Sequence, residues 1–307
     1  MVVRGDPSLS AVPVDVPWIS AELVADARAS LGEGPVWDDR EQCVWWVDIL
    51  GESIHRTEPL TGQDDVIPVG QMVGALGLRQ RGGLVVAVRD GFVSVDPASG
   101  RIERMADVEA DRPSSRMNDG KLDPQGRFWA GTTDIDHRPG LGTLYRLDAD
   151  LTVSPMLPDV TISNGLDWTA DGATMYFIDT PTRQVDRFSF EPSTGSIGDR
   201  KKAVSIRPGA GNPDGMTLDA EDHLWVALWD GWAVERYAPD GALELRVEVP
   251  AAQTTSCTFG GSDLGTLFIT TAQKEFPVGG KPDQPHAGGL FACRPGVRGR
   301  PAHRFAG

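Results

Sequence analysis

Gly120-Lys121-Leu122-Asp123-Pro124-Gln125-Gly126-Arg127-Phe128-Trp129-Ala130 holds, in order, a small residue, a short apolar step, a polar turn and a second apolar run. The same order returns along the whole chain. The apolar run recurs as Val44-Trp45-Trp46-Val47, Leu84-Val85-Val86-Ala87-Val88, Phe128-Trp129-Ala130, Met175-Tyr176-Phe177-Ile178, Leu224-Trp225-Val226-Ala227 and Leu267-Phe268-Ile269. Successive copies stand roughly 40 to 50 residues apart, the period of propeller blades and longer than that of ankyrin or tetratricopeptide arrays. About ten residues before each run lies a small anchor: Gly34, Ala75, Gly120, Gly165, Gly215 and Ser256. After it come a third strand-like segment, such as Val234-Glu235-Arg236-Tyr237, and a more polar fourth, such as Leu243 to Val249. Four short strands joined by Asp, Gly and Pro turns make a blade. No segment keeps an i, i+3, i+4 apolar pattern past its next turn; Ile19 to Ala29 is the one stretch left open to helix.

The expected fold is therefore all-β, a six-bladed propeller of four-stranded antiparallel blades around a central channel, spanning residues 18–307 after a flexible extension at 1–17. The sixth repeat lacks an outer strand after Gly289-Leu290-Phe291-Ala292-Cys293, and Glu22 to Ala27 is the natural segment to supply it. That closure removes two free sheet edges; Val297 to Gly307 competes for the same role.

Composition narrows the function. The chain has 307 residues, with 36 Gly and nine Trp, suited to tight turns and strand centres. A net charge of −15 excludes nucleic acid and anionic membranes as partners, since both require a basic surface. No apolar stretch approaches the ~20 residues that cross a bilayer, and residues 1–17 lack the apolar core of a signal peptide. Cys43, Cys257 and Cys293 are odd in number and without CxxC spacing, as expected of small buried residues in a reducing cytoplasm.

Loops leading into the inner strands converge on the propeller axis. The residues just before the anchors are Glu33, Gly74, Asp119, Asn164, Asp214 and Thr255, and Asn118 adjoins Asp119. Four of the six positions carry carboxylate or amide oxygens, the hard donors that suit Ca²⁺, Mg²⁺ or Mn²⁺; the same residues are also common in turns for local reasons. There is no GxSxG elbow or Walker loop, no HxxxH spacing among the five histidines, and no evident histidine partner for Ser163 or Ser256.

Leu31-Gly32-Glu33-Gly34-Pro35-Val36-Trp37, Arg116-Met117-Asn118-Asp119-Gly120-Lys121-Leu122-Asp123-Pro124, Ile162-Ser163-Asn164-Gly165-Leu166-Asp167-Trp168 and Pro213-Asp214-Gly215-Met216 resemble the family of regucalcin (senescence marker protein 30), bacterial gluconolactonases and related sugar lactonases. The likeness runs from about residue 22 to 307. It implies a divalent metal (Ca, Mg, Mn, Zn or Fe) held by Glu33, Asn164 and Asp214. It also implies Asn118 close by, with Arg116 and Asn118 contacting substrate, in an enzyme that opens the ester ring of an aldonolactone. On that reading Asp214 activates the attacking water and Asp119 fixes Arg116 or Asn118. Where animal members have an acidic pair after the Gly-Thr of blade three, this chain has Asp134-Ile135-Asp136. Asp136 is then a shorter substrate contact. Ser154 stands in the place of a lysine. The partner implied is a small sugar lactone, met by a monomer or weak homo-oligomer. Two alternatives keep the same channel: an organophosphate or other ester hydrolase, with Trp129, Trp168 and Trp229 as rim candidates, and a non-catalytic metal-binding propeller.

Overall fold

The computed structural model describes residues 16–275 and 283–307. The expected extension at 1–17 lies outside them except for its last two residues. Six antiparallel sheets radiate from one axis, each built from four consecutive strands or their equivalent. Their inner strands are Gly32–Asp38, Val73–Arg79, Ser115–Leu122, Ser163–Trp168, Asn212–Leu218 and Thr254–Gly260. Hydrophobic clusters fill the spaces between neighbouring blades. Trp129, Trp168, Phe177 and Phe190 join blades three and four, with the two indoles 5.8 Å apart between ring centroids. Trp129 and Trp168 are thus core, not rim, whereas Trp229 is half-buried at the upper end of the second strand of blade five (Leu224–Trp229).

The turns that follow the inner strands of blades three and five are built around buried aspartates. Asp123 accepts from the backbone of Gln125 and Arg127, from Arg127 Nε and from Trp129 Nε1. Asp219 does the same in blade five with Glu221, His223, Trp225 Nε1 and Arg236 Nε. One carboxylate so satisfied fixes the turn and the second strand together, which is why the Asp-turn-Trp order recurs in sequence.

Blade six closes as the missing outer strand predicts: Glu22–Ala25 pairs antiparallel with Leu290–Cys293. The segment left open to helix is instead extended. Trp18–Ser20 adds a parallel edge strand to blade five before the chain steps across to blade six. Val297 to Gly307 takes no outer position. It crosses the lower face and touches every blade. Gly299 N–H donates to Leu264, Ala220 N–H to Arg298 and Arg300 Nη2 to Trp168. Farther on, Ala306 N–H donates to Gly126, Gln80 N–H to Phe305, and Arg304 Nη2 pairs with Asp38 and Asp39 at 2.7 and 2.6 Å. The side chain of Phe305 is fully buried between blades two and three. No helix of the described residues is long and apolar enough to cross a membrane.

Candidate metal and substrate site

Each inner strand carries a β-bulge near its upper end. The ladder with the second strand skips Gly34 and Pro35, Gly74, Asn118 and Asp119, Asn164 and Gly165, Asp214 and Gly215, and Thr255. A bulge releases residues from pairing and re-aims their side chains, so the convergence at the axis has a backbone cause. Counting back five residues from Asp38, Asp123, Thr169 and Asp219 gives Glu33, Asn118, Asn164 and Asp214. Asn118, not Asp119, therefore occupies the repeated position, and Asp119 matches Gly165 and Gly215. Taking Gly120 as the anchor shifts that blade by one residue, because its bulge holds two polar residues where its neighbours hold one and a glycine.

The small anchors answer to crowding at the axis. A Cβ on Gly165 would lie 2.6 Å from Met216 N and 2.8 Å from Asp214 O, and one on Gly215 would lie 2.2 Å from Ser256 Oγ. These glycines let neighbouring inner strands approach until their bulge residues share one volume.

Glu33, Asn118, Asn164 and Asp214 are all buried, as are Arg116 and Asp119. Arg116 Nη1 donates to Asn118 Oδ1 at 2.7 Å, and Asn118 Nδ2 donates to Ser163 O at 2.6 Å and Asn164 Oδ1 at 3.3 Å. Asn164 Nδ2 donates to Thr180 Oγ1, whose hydroxyl donates to Pro213 O. Blades three, four and five are thereby tied at the level of the site. Arg116 Nε and Nη2 make no hydrogen bond among the described residues. Asp119 Oδ1 accepts from Gly120 N–H, and among the described residues it bonds neither Arg116 nor Asn118. Asp136 lies apart, exposed on the turn after Phe128–Asp134 with its N–H on Asp134 Oδ1.

Electrostatics mark the cluster. Burial first, then the charges of Asp214 and Asp119, push the Glu33 carboxyl well above its usual range. Burial and Asp119 do the same to Asp214, against Asn164, Arg116 and Lys274. Asp119 is pushed up to about 6 by burial, opposed by Lys121. Burial lowers Arg116 to about 10, against the pull of Glu33 and Asp214. Three buried carboxyls face one buried guanidinium, with two amide oxygens beside them. Such an uncompensated set of hard oxygens fits a dication. A different group, Asp219, Glu221 and His223, has donor atoms within 4.8 Å on the lower turn of blade five. Its oxygens already serve Arg236, Trp225 and backbone N–H groups.

One layer below the site lies a contact that the loop phase does not reveal. Lys121 Nζ donates to Asp167 Oδ2 at 3.0 Å and Met216 O at 2.9 Å. Lys121 and Asp167 each stand three residues after a bulge asparagine, so comparing the repeats farther down the inner strands would have found them.

The chain matches the SMP-30/gluconolactonase/LRE-like region over residues 31–273. It is 36% identical to regucalcin of Gallus gallus over 296 residues, covering 94% of this chain and 99% of that protein. It is 37% identical to a 6-deoxy-6-sulfogluconolactonase of Pseudomonas putida over 278 residues, covering 90% and 95%. A solved calcium-binding protein, regucalcin from Agrobacterium tumefaciens, superposes with a TM-score of 0.88 at 31% identity, covering 94% of this chain and 99% of that one. With the repeat, the six sheets and the axial cluster in agreement, the chain belongs to the SMP-30/gluconolactonase/LRE-like family.

Proposed function

We propose that this protein is a divalent-metal-dependent hydrolase of carboxylic ester bonds that opens the ring of an aldonolactone to the sugar acid. The observation that carries it is the buried ring of Glu33, Asp119 and Asp214 against a single Arg116, completed by Asn118 and Asn164. Glu33, Asn164 and Asp214 are the residues that would hold the metal. When bound, the cation supplies Lewis-acid polarisation of the ester carbonyl. Asp214 accepts the proton of the attacking water, and its buried setting gives it the raised basicity that the task needs. Arg116 keeps Nε and Nη2 for substrate oxygens while Nη1 is spent on Asn118 and Met117. It therefore positions the polyol rather than the metal. Asn118, anchored on Ser163 O, is fixed in the orientation that lets it meet the same substrate. Asp119 balances the charge of the site and is not placed in contact with the ring. Asp136, exposed on its turn, is a contact only for the far end of a longer substrate.

The likeness to the 6-deoxy-6-sulfogluconolactonase of Pseudomonas putida supports the lactone class. Three unpaired cysteines suit a reducing cytoplasm.

The test is a pH-stat assay on xylono-, arabino-, galactono- and gluconolactone, each with Ca²⁺, Mg²⁺, Mn²⁺, Zn²⁺ or Fe²⁺ after chelation. Hydrolysis above the spontaneous rate that disappears with the metal is the expected result. A fluorophosphate turned over faster than every lactone would reassign the substrate. Metal binding without hydrolysis of any member of the panel would leave a non-catalytic propeller.

A further inference from the structure

We propose that Lys121 and Asp167 form a positioning clamp that fixes the spacing of the three inner strands bearing Asn118, Asn164 and Asp214. The inference rests on the metal site proposed above and concerns what holds that site in register.

The blades are separate sheets, so no backbone ladder links one inner strand to the next. Apart from isolated bridges such as that of Thr133 with Ile162, the register between them is left to side chains and close packing. At the level of the site, Asn118 reaches blade four and Thr180 reaches blade five. Below it, one ammonium spans all three strands. Lys121 Nζ, on the inner strand of blade three, meets Asp167 of blade four at 3.0 Å and the Met216 carbonyl of blade five at 2.9 Å. Asp167 Oδ2 also accepts from Thr217 Oγ1 at 3.1 Å and Leu218 N–H at 2.9 Å, both on blade five. Asp167 Oδ1 accepts from its neighbour Trp168 N–H. Four donors on one carboxylate, three of them from neighbouring blades, keep it ionised in a partly buried place and make its position stiff.

The clamp also faces the problem created above it. The carboxyls of Asp119 and Asp214 repel one another, and a cross-link two residues farther along the same two strands, from Lys121 to Met216 O, resists their separation. Met216, whose carbonyl it grips, is two residues from Asp214. A shift of a few tenths of an ångström there moves a carboxylate oxygen relative to two amide oxygens on other strands.

Lys121→Met keeps the stem of the side chain and removes the donor. Lys121→Arg restores a donor of the same charge. Because a lone Asp167 left buried is costly, the paired variant Lys121→Met/Asp167→Leu removes both charges and keeps the protein foldable. Metal affinity is read by calorimetric titration of the chelated, folded protein with Mn²⁺ and Ca²⁺, well below its melting temperature, and kcat and KM are measured separately on the best lactone. The paired variant is expected to bind Mn²⁺ about tenfold more weakly, the lower end of what loss of a group that orients metal ligands costs, and to lose kcat while KM changes little. Lys121→Arg is expected to recover most of both. Unchanged affinity and kcat in a folded paired variant, or a loss in Lys121→Arg as large as in Lys121→Met, would overturn the clamp. Wild-type protein that binds neither ion would instead defeat the metal reading on which the clamp depends.

Discussion

Replacing Asp214 with Asn should make the metal-free protein more stable and at the same time abolish tight metal binding. Two carboxylates that share one cation at roughly 2.3–2.6 Å each stand no more than about 5 Å apart, and at an effective dielectric of about 20 they repel by about 3 kcal/mol. Asn at 214 keeps the shape and removes that term between positions 214 and 33, and likewise with Asp119. Part is lost because wild-type protein relieves the strain by holding a proton and because Arg116 loses an attractive partner. A net gain of about 1–2 kcal/mol remains, or about 1.5–3 °C in Tm for a chain of this size.

The pH dependence follows in sign. A carboxyl whose pKa is raised by folding binds its proton more tightly in the folded state. Its penalty is absent below the unfolded value of about 4 and grows as the pH rises through the folded value. For Asp119 that window runs from about 4 to about 6. The advantage of Asp214→Asn in EDTA should therefore be larger at pH 8 than at pH 5. Thermal melts of both proteins at those two pH values, with EDTA and with saturating Ca²⁺, provide the comparison. Ca²⁺ should raise the wild type by several degrees and leave the variant near its EDTA value. A variant less stable than wild type in EDTA at pH 8 would refute the reasoning, since the carboxyls would not then be straining the fold.

Arg116→Ala should lower kcat/KM on the preferred lactone by about 10²-fold, the usual cost of one positioned donor. Because Arg116 holds down the pKa of Asp214, the acid limb of the pH–rate profile should also move to higher pH; a profile unchanged in shape would contradict the shared charge balance. Gly165→Ala pushes a methyl group against Met216 N and Asp214 O. It should cost about 1–3 kcal/mol in urea unfolding and weaken metal binding beyond what the folded fraction explains. Phe305→Ala, which empties a fully buried site between blades two and three, should cost about 3–5 kcal/mol, seen as a fall in Tm, provided the tail unfolds together with the ring. A drop of under ~1 kcal/mol would show that the tail opens on its own.

The blades were legible because a blade is a local object: its strands, turns and Asp-turn-Trp pins lie within one repeat. Closure was legible as one of two options: the sixth repeat lacks a fourth strand, Glu22 to Ala27 suits the gap and takes it, and Val297 to Gly307, its competitor in sequence, does not. Ile19 to Ala29 was ambiguous because Trp18–Ser20 and Glu22–Ala25 belong to different sheets, which breaks the alternation. The residues of the candidate site that converge at the axis were legible to within one residue. Glu33, Asn164 and Asp214 fall at one phase, but the two-residue bulge of blade three presents Asn118 and Asp119 together, and the anchor-based phase picks Asp119 where a count back from the turn residue Asp123 picks Asn118. Lys121 and Asp167 were hidden for another reason. Their partners lie 46 and 95 residues away, and neither residue type is unusual at an inner strand. The course of Val297 to Gly307 was equally unreadable, because a segment that lies on six turns needs no pattern of its own.

That terminal course has a consequence for synthesis. Blades one to five can pair their own strands as they leave the ribosome, but blade six must wait for Leu290–Cys293 before Glu22–Ala25 has anything to join. The segment that grips Asp38, Gln80, Gly126, Trp168, Ala220 and Leu264 is made later still. Until it emerges, the nascent ring has an open floor and an unclosed seam, and a pause in translation near residue 296 would hold it in that state.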